Sequence, residues 1–270
     1  MKKTLIYFFA LLFFVSCQKD KEPAKQLYLS KIFTDALLSS EYIYSSDKKP
    51  IRFNNYSTNT NQSVLNSFSL YGYSSEGLLS DVTIFTDDNQ FNTKYTLEYD
   101  AGKRPVRMDV RDADNNITFY YLMDYGANNE LSKYTLYKAG TNKKNVECFY
   151  TYDAKGTVSQ VKRYNYPVNT AVLRDTATFS FSSRIPSHWK NFEALTLISL
   201  PNGNSDFTDL VCNGYNYTYI DAPPTITKVT YANRVYNKDG YLTKQQKKFE
   251  STYLGPAVIT TFEKTYEYIE

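Results

Sequence analysis

A tyrosine followed by a short turn-forming sequence returns along this chain at nearly constant spacing, and no other feature restricts the fold as much. Tyr44-Ser-Ser-Asp47-Lys-Lys-Pro50-Ile51 matches Tyr99-Asp100-Ala-Gly102-Lys-Arg-Pro105-Val106 in its aromatic, turn, basic, proline and β-branched positions. A second form reads Tyr73-Ser-Ser-Glu-Gly77-Leu-Leu79. It returns from Tyr125 to Leu131 through Asn129, from Tyr152 to Val158 through Gly156, and from Tyr236 to Leu242 through Gly240. From Tyr44 to Tyr152 the anchors stand 29, 26, 26 and 27 residues apart, and the next gap, to Tyr236, is 84 residues, three periods of 28. A period of this length marks repetition of one supersecondary unit.

The unit reads as a β-hairpin. Before its turn, Tyr95, Leu97 and Tyr99 alternate with Thr96, Glu98 and Asp100; after it, Val106, Met108 and Val110 alternate with Arg107, Asp109 and Arg111. Alternation at period two gives a sheet one apolar and one polar face. The turns hold Asp or Asn and then Gly, which accept left-handed backbone, and Pro50 and Pro105 follow their turns where a strand tolerates a missing donor. Two strands per period predict an all-β chain, an antiparallel meander of hairpins curling into a single large sheet or partly open barrel. The rhythm fades near 185–212, where a short helix with Trp189, Phe192 and Leu195 on one side, and then a loop, are expected as an insertion.

The first residues are an address. Lys2 and Lys3 precede an apolar run from Leu5 to Val15, too short to span a bilayer, where roughly 20 residues are needed. Phe14-Val15-Ser16-Cys17 resembles a bacterial lipobox, which implies that Cys17 is lipidated and becomes the first mature residue. The division expected is a signal peptide over 1–16, a lipidated cysteine and charged tether over 17–26, and a hairpin-repeat domain over 27–270. Gln18-Lys19-Asp20-Lys21-Glu22 resembles the export signal of Bacteroidetes surface lipoproteins, with Lys21 interrupting the acidic run. The implied location is the outer membrane, lipid-anchored and surface-exposed, with a periplasm-facing domain as the alternative.

Composition narrows the function classes. Without Lys2 and Lys3 the formal charge falls from +3 to +1, which gives no electrostatic case for nucleic acid or another polyanion. Tyrosine, at 27 residues of 270, suits strands with half-wet faces. Cys148 and Cys212 are expected as unpaired thiols, and with no Cys-x-x-Cys and a single histidine, His188, neither a zinc cage nor a histidine-rich metal site is expected. No cofactor motif is present.

The repeat resembles a group of Bacteroidetes lipoproteins of unknown function that carry Tyr-x-Tyr-Asp-x-x-Gly-x-Leu hairpins in a curled, porin-like open sheet. Residues 27–182 and 215–270 follow that pattern. A more distant resemblance is to the tyrosine–aspartate repeat of large surface and toxin-shell proteins, through Tyr152-Asp153 to Gly156 and Tyr99-Asp100 to Gly102. Neither implies catalytic residues.

Three functional readings follow. The first is a non-catalytic binding or interaction module, meeting a glycan or an envelope protein. Anchor tyrosines are expected as cross-strand ladders. Tyr164, Tyr166, Tyr215 and Tyr217, off the repeat, and Trp189 are the candidates for binding. The second is a carbohydrate-active hydrolase using a carboxylate pair drawn from Asp87, Asp88, Asp109, Asp112 and Asp114, all expected in or beside hairpin tips. Asp112 to Asn116 is like the start of a calcium loop but lacks its glycine and final glutamate, so no metal site is expected. The third, a transmembrane barrel, is disfavoured by the short hairpins and the terminal Ile269-Glu270.

Overall fold

The computed structural model describes residues 26–58, 61–154, 156–167, 170–181, 212–219, 225–252 and 256–270, with the side chains of 180–181, 212–217 and 219 left undescribed. The expected insertion, with Trp189 and His188, lies outside these residues, as do Cys17 and the tether as far as residue 25. Sixteen strands are described: β1 (Tyr28–Thr34), β2 (Leu37–Tyr44), β3 (Pro50–Ser57), β4 (Val64–Tyr73), β5 (Leu79–Thr86), β6 (Phe91–Tyr99), β7 (Pro105–Arg111), β8 (Ile117–Tyr125), β9 (Leu131–Lys138), β10 (Lys143–Tyr152), β11 (Val158–Asn165), β12 (Val172–Phe181), β13 (Cys212–Tyr219), β14 (Thr225–Tyr236), β15 (Leu242–Ser251) and β16 (Val258–Ile269).

Each strand pairs antiparallel with the next, which is the expected meander. The first and last strands also pair, with Ile32 opposite Tyr266 and Thr34 opposite Lys264. The single large antiparallel sheet is thus as expected, and the pairing of β1 with β16 carries its ladder round to the first strand. Closure satisfies the backbone groups that two free edges would leave open to other chains.

The repeat has a local cause. In each unit the residue after the anchor tyrosine starts a five-residue turn. Its N–H donates to the carbonyl four residues on, as from Asp100 to Arg104 (2.9 Å) and from Asp153 to Thr157 (2.8 Å). The fourth turn residue is left-handed: Lys48 (φ 62°), Gly77 (78°), Lys103 (61°), Asn129 (64°), Gly156 (74°) and Gly240 (85°). A type I turn followed by a left-handed residue produces a bulge. The register slips at every anchor accordingly, Tyr73 pairing with Leu79 and Tyr99 with Pro105. The first turn residue often adds a side-chain bond, Asp100 Oδ1 accepting from the Arg104 N–H (2.9 Å) and Asn237 Oδ1 from Tyr241 N–H (2.9 Å). In the Tyr99 turn the left-handed position belongs to Lys103, one residue after Gly102.

At five of the six turns the bulge aims the anchor ring at the neighbouring hairpin, and Tyr268 near the end of β16 does the same. Tyr44 donates its hydroxyl hydrogen to the Leu29 carbonyl (2.7 Å), Tyr73 to Pro50 (2.7 Å) and Tyr99 to Leu79 (2.8 Å). Tyr125 likewise donates to Pro105 (2.8 Å), Tyr152 to Leu131 (2.8 Å) and Tyr268 to Leu242 (2.7 Å). Each acceptor lies near the start of a strand whose own turn is one hairpin back. Every such bond contributes on the order of 1 kcal/mol net. Ion pairs and amide contacts join the same turns: Lys103 with Glu76 (3.1 Å), Arg104 Nη1 donating to Asn129 Oδ1 (2.8 Å), and Lys48 to the Glu270 carbonyl. This end of the sheet is called the tyrosine rim below. With sixteen strands, β1 begins and β16 ends on that rim.

One face carries the core. Leu29, Ile32, Leu79, Val82, Leu97, Met108, Met123, Tyr134, Cys148, Tyr150, Val161, Ala177, Phe179, Val229 and Tyr266 belong to one buried cluster, with half-buried tyrosines packed on it. Cross-strand pairs continue it: Val82 faces Tyr95, Leu97 faces Met108, and Cys148 faces Tyr134. In a closed sheet the buried cluster belongs on the concave side, where side chains converge. The opposite face is a mosaic of charges and rings.

Candidate functional site

Three carboxylates on the opposite face each sit in a polar cluster. Glu41 Oε2 accepts from Asn54 Nδ2 (2.9 Å) and from the Tyr56 hydroxyl (3.1 Å), while Asn54 Oδ1 accepts from Arg52 Nε (2.7 Å). Asp109 is gripped by Arg107 Nε (2.7 Å) and Arg111 Nη2 (3.3 Å). Glu147 accepts from Lys144 Nζ (2.7 Å), from the Tyr166 hydroxyl and from Thr135. Burial raises the Glu147 pKa, but the bonds from Lys144 and Tyr166 outweigh it and leave the carboxyl below its ordinary value.

A row of rings and cations runs between these groups. Arg107 lies 4.6 Å from the centroid of Tyr120, which stacks on Tyr137 at 5.1 Å and 13°. Tyr137 pairs with Lys144, and Lys144 Nζ stands 4.7 Å over the Tyr166 ring. Alternation of this kind ties β7 to β10, and the residue after β11, together through stacking and cation–π contacts.

The expected binding tyrosines fall into two sets. Tyr166 is engaged with Glu147 and Lys144, and its phenol is raised by burial and by the neighbouring Glu147. Tyr164 pairs with Glu147 and meets Phe149 edge-on at 5.6 Å, beside an exposed ring face. Tyr215 and Tyr217 lie two strands away on β13, in register with Phe179 and Ala177 of the core cluster. The fold thus separates them from Tyr164 and Tyr166.

The aspartates do not converge either. Asp88 accepts from Thr86 and from the Gln90 N–H, bonds that hold its carboxyl below the ordinary value. Asp112 Oδ1 accepts from the N–H groups of Asp114 (3.1 Å) and Asn116 (2.9 Å). These are turn bonds. Asp109, expected near a hairpin tip, instead sits inside β7, buried and ion-paired, because its alternation with Met108 and Val110 continues past the turn. Among the described residues no group of three or more His, Cys, Asp or Glu is placed to hold a metal ion.

The core face holds polar groups that the alternation alone leaves unexplained. Arg163 binds Asp175 Oδ2 through Nε (2.8 Å) and Nη2 (2.6 Å), both side chains buried. In the same row lies Cys148, a free thiol with 0% exposure that burial pushes up to about 12. A thiol held protonated is not a nucleophile. Further round, fully buried Gln245 donates to the Tyr266 hydroxyl (2.6 Å) and accepts from Arg234 Nε (3.1 Å). The signal for these residues is an alternation parity: Arg163 stands two positions after Val161, and Asp175 two before Ala177.

No protein-family model matches the sequence. No curated protein is significantly similar to it. Among solved structures, the chain is similar to a porin-like protein from Bacteroides uniformis, with 12% identity, a TM-score of 0.52, and coverage of 89% of this chain and 98% of that one. A porin-like protein from Bacteroides vulgatus aligns over the same shares at 9% identity and a TM-score of 0.47. The first of these shows a shared fold.

Proposed function

We propose that the protein is a lipid-anchored, surface-exposed module of the outer membrane that binds a glycan without catalysis. The observation that carries this reading is the position of the chain ends. β1 begins at Tyr28 on the tyrosine rim, eleven residues after Cys17, so a lipid on Cys17 would hold that rim within about 40 Å of the bilayer, at roughly 3.5 Å per extended residue. The interlocked turns then face the membrane and the other rim faces away. The porin-like fold accords with an envelope protein.

The opposite face of the sheet suits water. Arg52, Lys94, Arg107, Arg111 and Lys133 stand on it, and each arginine or lysine against lipid at mid-bilayer costs about 2–4 kcal/mol. The strands therefore need not span a membrane, and the lipid serves as the anchor. The loop aspartates serve their own turns, which favours binding over hydrolysis.

Protease treatment of intact cells expressing the full chain, beside a lysed control and a Cys17→Ser variant, tests the reading. Digestion in intact cells and release of Cys17→Ser from the membrane are expected. Protection in intact cells with digestion after lysis would turn the domain to the periplasm, and an unreleased Cys17→Ser variant would remove the lipid.

A further inference from the structure

Charged side chains of the opposite face bind one another from β3 to the start of β10. Arg52 meets Asn54, Arg107 and Arg111 hold Asp109, Lys133 Nζ stands 2.9 Å from Asp124, and Lys144 binds Glu147. Across the rest of β10, β11 and β12 the same face is different. Phe149, 40% exposed, faces Lys133 on one side and Lys162 on the other, with Tyr164 edge-on beside it. Further round, Lys162 faces Thr176 and Gln160 faces Thr178. The side chains of Gln160, Lys162, Thr176 and Thr178 bond to no described residue, and neither does the Tyr164 hydroxyl. Lys162 and Thr178 are exposed, and Gln160, Tyr164 and Thr176 are half-buried.

An aromatic ring turned to water, framed by donors and acceptors that the protein itself leaves unused, is complementary to a sugar. The C–H face of a sugar ring lies on the aromatic ring, and its hydroxyls exchange bonds with the amide and hydroxyls around it. Burying both ring faces releases water, and each new hydrogen bond replaces one to solvent. Neighbouring strands lie about 4.8 Å apart, so three of them span about 10 Å, room for a short run of sugar rings. Charge selects the class. Lys133 and Lys144 are already paired with carboxylates, so Lys162 is the one uncommitted charge in register with Phe149, and Gln160, Thr176 and Thr178 are uncharged. We infer that the opposite face of β10–β12 binds a neutral glycan. A sugar stacks on Phe149 against the edge set by Tyr164, and its hydroxyls bond to Gln160, Lys162, Thr176 and Thr178. The inference rests on the glycan-binding reading and gives it a site and a substrate class.

Capture of the full chain, in mild detergent, on beads carrying α-glucan, β-glucan, mannan or polygalacturonate tests it. Capture by at least one of the three neutral polymers, unchanged by added salt, is expected. Phe149→Ala should lose about tenfold in affinity or more, as a central aromatic contact does, while Phe149→Trp should retain it. Lys162→Gln, which keeps a donor and removes the charge, should stay within about twofold, as should Leu70→Ala, an exposed apolar side chain elsewhere on the same face. Full capture of a normally folded Phe149→Ala, or an equal loss in Leu70→Ala, would overturn the site and leave glycan binding standing. Capture by polygalacturonate alone, weakening with salt, would overturn the neutral class and again leave glycan binding standing. No capture by any polymer would sink both, and a dimer in sedimentation velocity that Phe149→Ala then dissociates would give the face to a second copy of the chain.

Discussion

Replacing Tyr99 by phenylalanine deletes one oxygen from the tyrosine rim and leaves the ring in place. That oxygen donates its hydrogen to the Leu79 carbonyl at 2.8 Å, and Leu79 is fully buried. The hydrogen bond contributes about 0.5–1.5 kcal/mol net, and a buried carbonyl left without a donor adds a desolvation cost, so Tyr99→Phe is expected to lose about 1–2 kcal/mol. In a chain of this size each kcal/mol shifts Tm by about 2–4 °C, which places the loss at about 2–8 °C. The chain contains its own control. Tyr236 occupies the same place in the repeat, yet its ring is 51% exposed and its hydroxyl bonds to no described residue. Tyr236→Phe is expected to stay within about 0.5 kcal/mol. Thermal and urea melts of both variants, followed by far-ultraviolet circular dichroism, measure the difference. If the two variants melt alike, the hydroxyl is not what fastens one hairpin to the next, and the repeat is held by ring packing alone.

Asp175→Ala removes the carboxylate that accepts two bonds from the buried Arg163 guanidinium, so it is expected to cost about 3–5 kcal/mol, whereas Arg163→Met/Asp175→Leu should recover most of that in urea titrations. Asp35 and Ala36 turn the first hairpin with φ of 49° and 67°, a pair of left-handed residues for which glycine is favoured at the second, and Ala36→Gly should raise the urea midpoint by about 1 kcal/mol of stability. Cys148 should resist thiol reagents in the native chain and react only in denaturant, as read by mass-spectrometric mapping of the labelled peptide. Burial raises the phenols of Tyr99 and Tyr121 from 10 to about 12. Below pH 10 both the folded and unfolded chains keep these protons, and above it the unfolded chain releases them first. Stability should therefore fall between pH 10 and about 12, with tyrosinate absorbance rising together with unfolding.

The meander was legible because one local device is written six times. A tyrosine followed by a polar residue or glycine, with a left-handed residue four positions after the ring, marks a type I turn with a bulge, and the alternation on either side fixes the face of each strand. Tyr95, Leu97, Met108 and Val110 sit where that alternation puts them. Closure was not legible, since β1 and β16 lie at opposite ends of the sequence and carry no mark of their pairing beyond ordinary alternation. Of the tyrosines outside the repeat, Tyr166 is bonded to Glu147, and Tyr215 and Tyr217 lie in backbone register with Phe179 and Ala177. A residue's distance from the motif says nothing about its cross-strand neighbours. Asp109 was misjudged for the same reason: proximity to a turn in sequence suggested turn chemistry, while strand parity placed it between two arginines.

Net charge does not record how the charges of this chain are divided between the two faces of its sheet. A formal value near zero argues against a polyanion only if charges of both signs are mixed over the accessible surface. Strand alternation allows the opposite, because residues two apart share a face and neighbours do not. In β15 the sequence Lys244-Gln245-Gln246-Lys247-Lys248 places Lys247 with Gln245 on the core face and Lys248 with Lys244 on the other. In β16, Glu263 and Glu267 fall opposite to Lys264 and Tyr266 by the same rule. The carboxylates of β16 thus share a face with Lys244 and Lys248, while Lys247 and Lys264 fall on the other. Which face a charge joins is set by parity within each strand, a division that the sum of charges does not record.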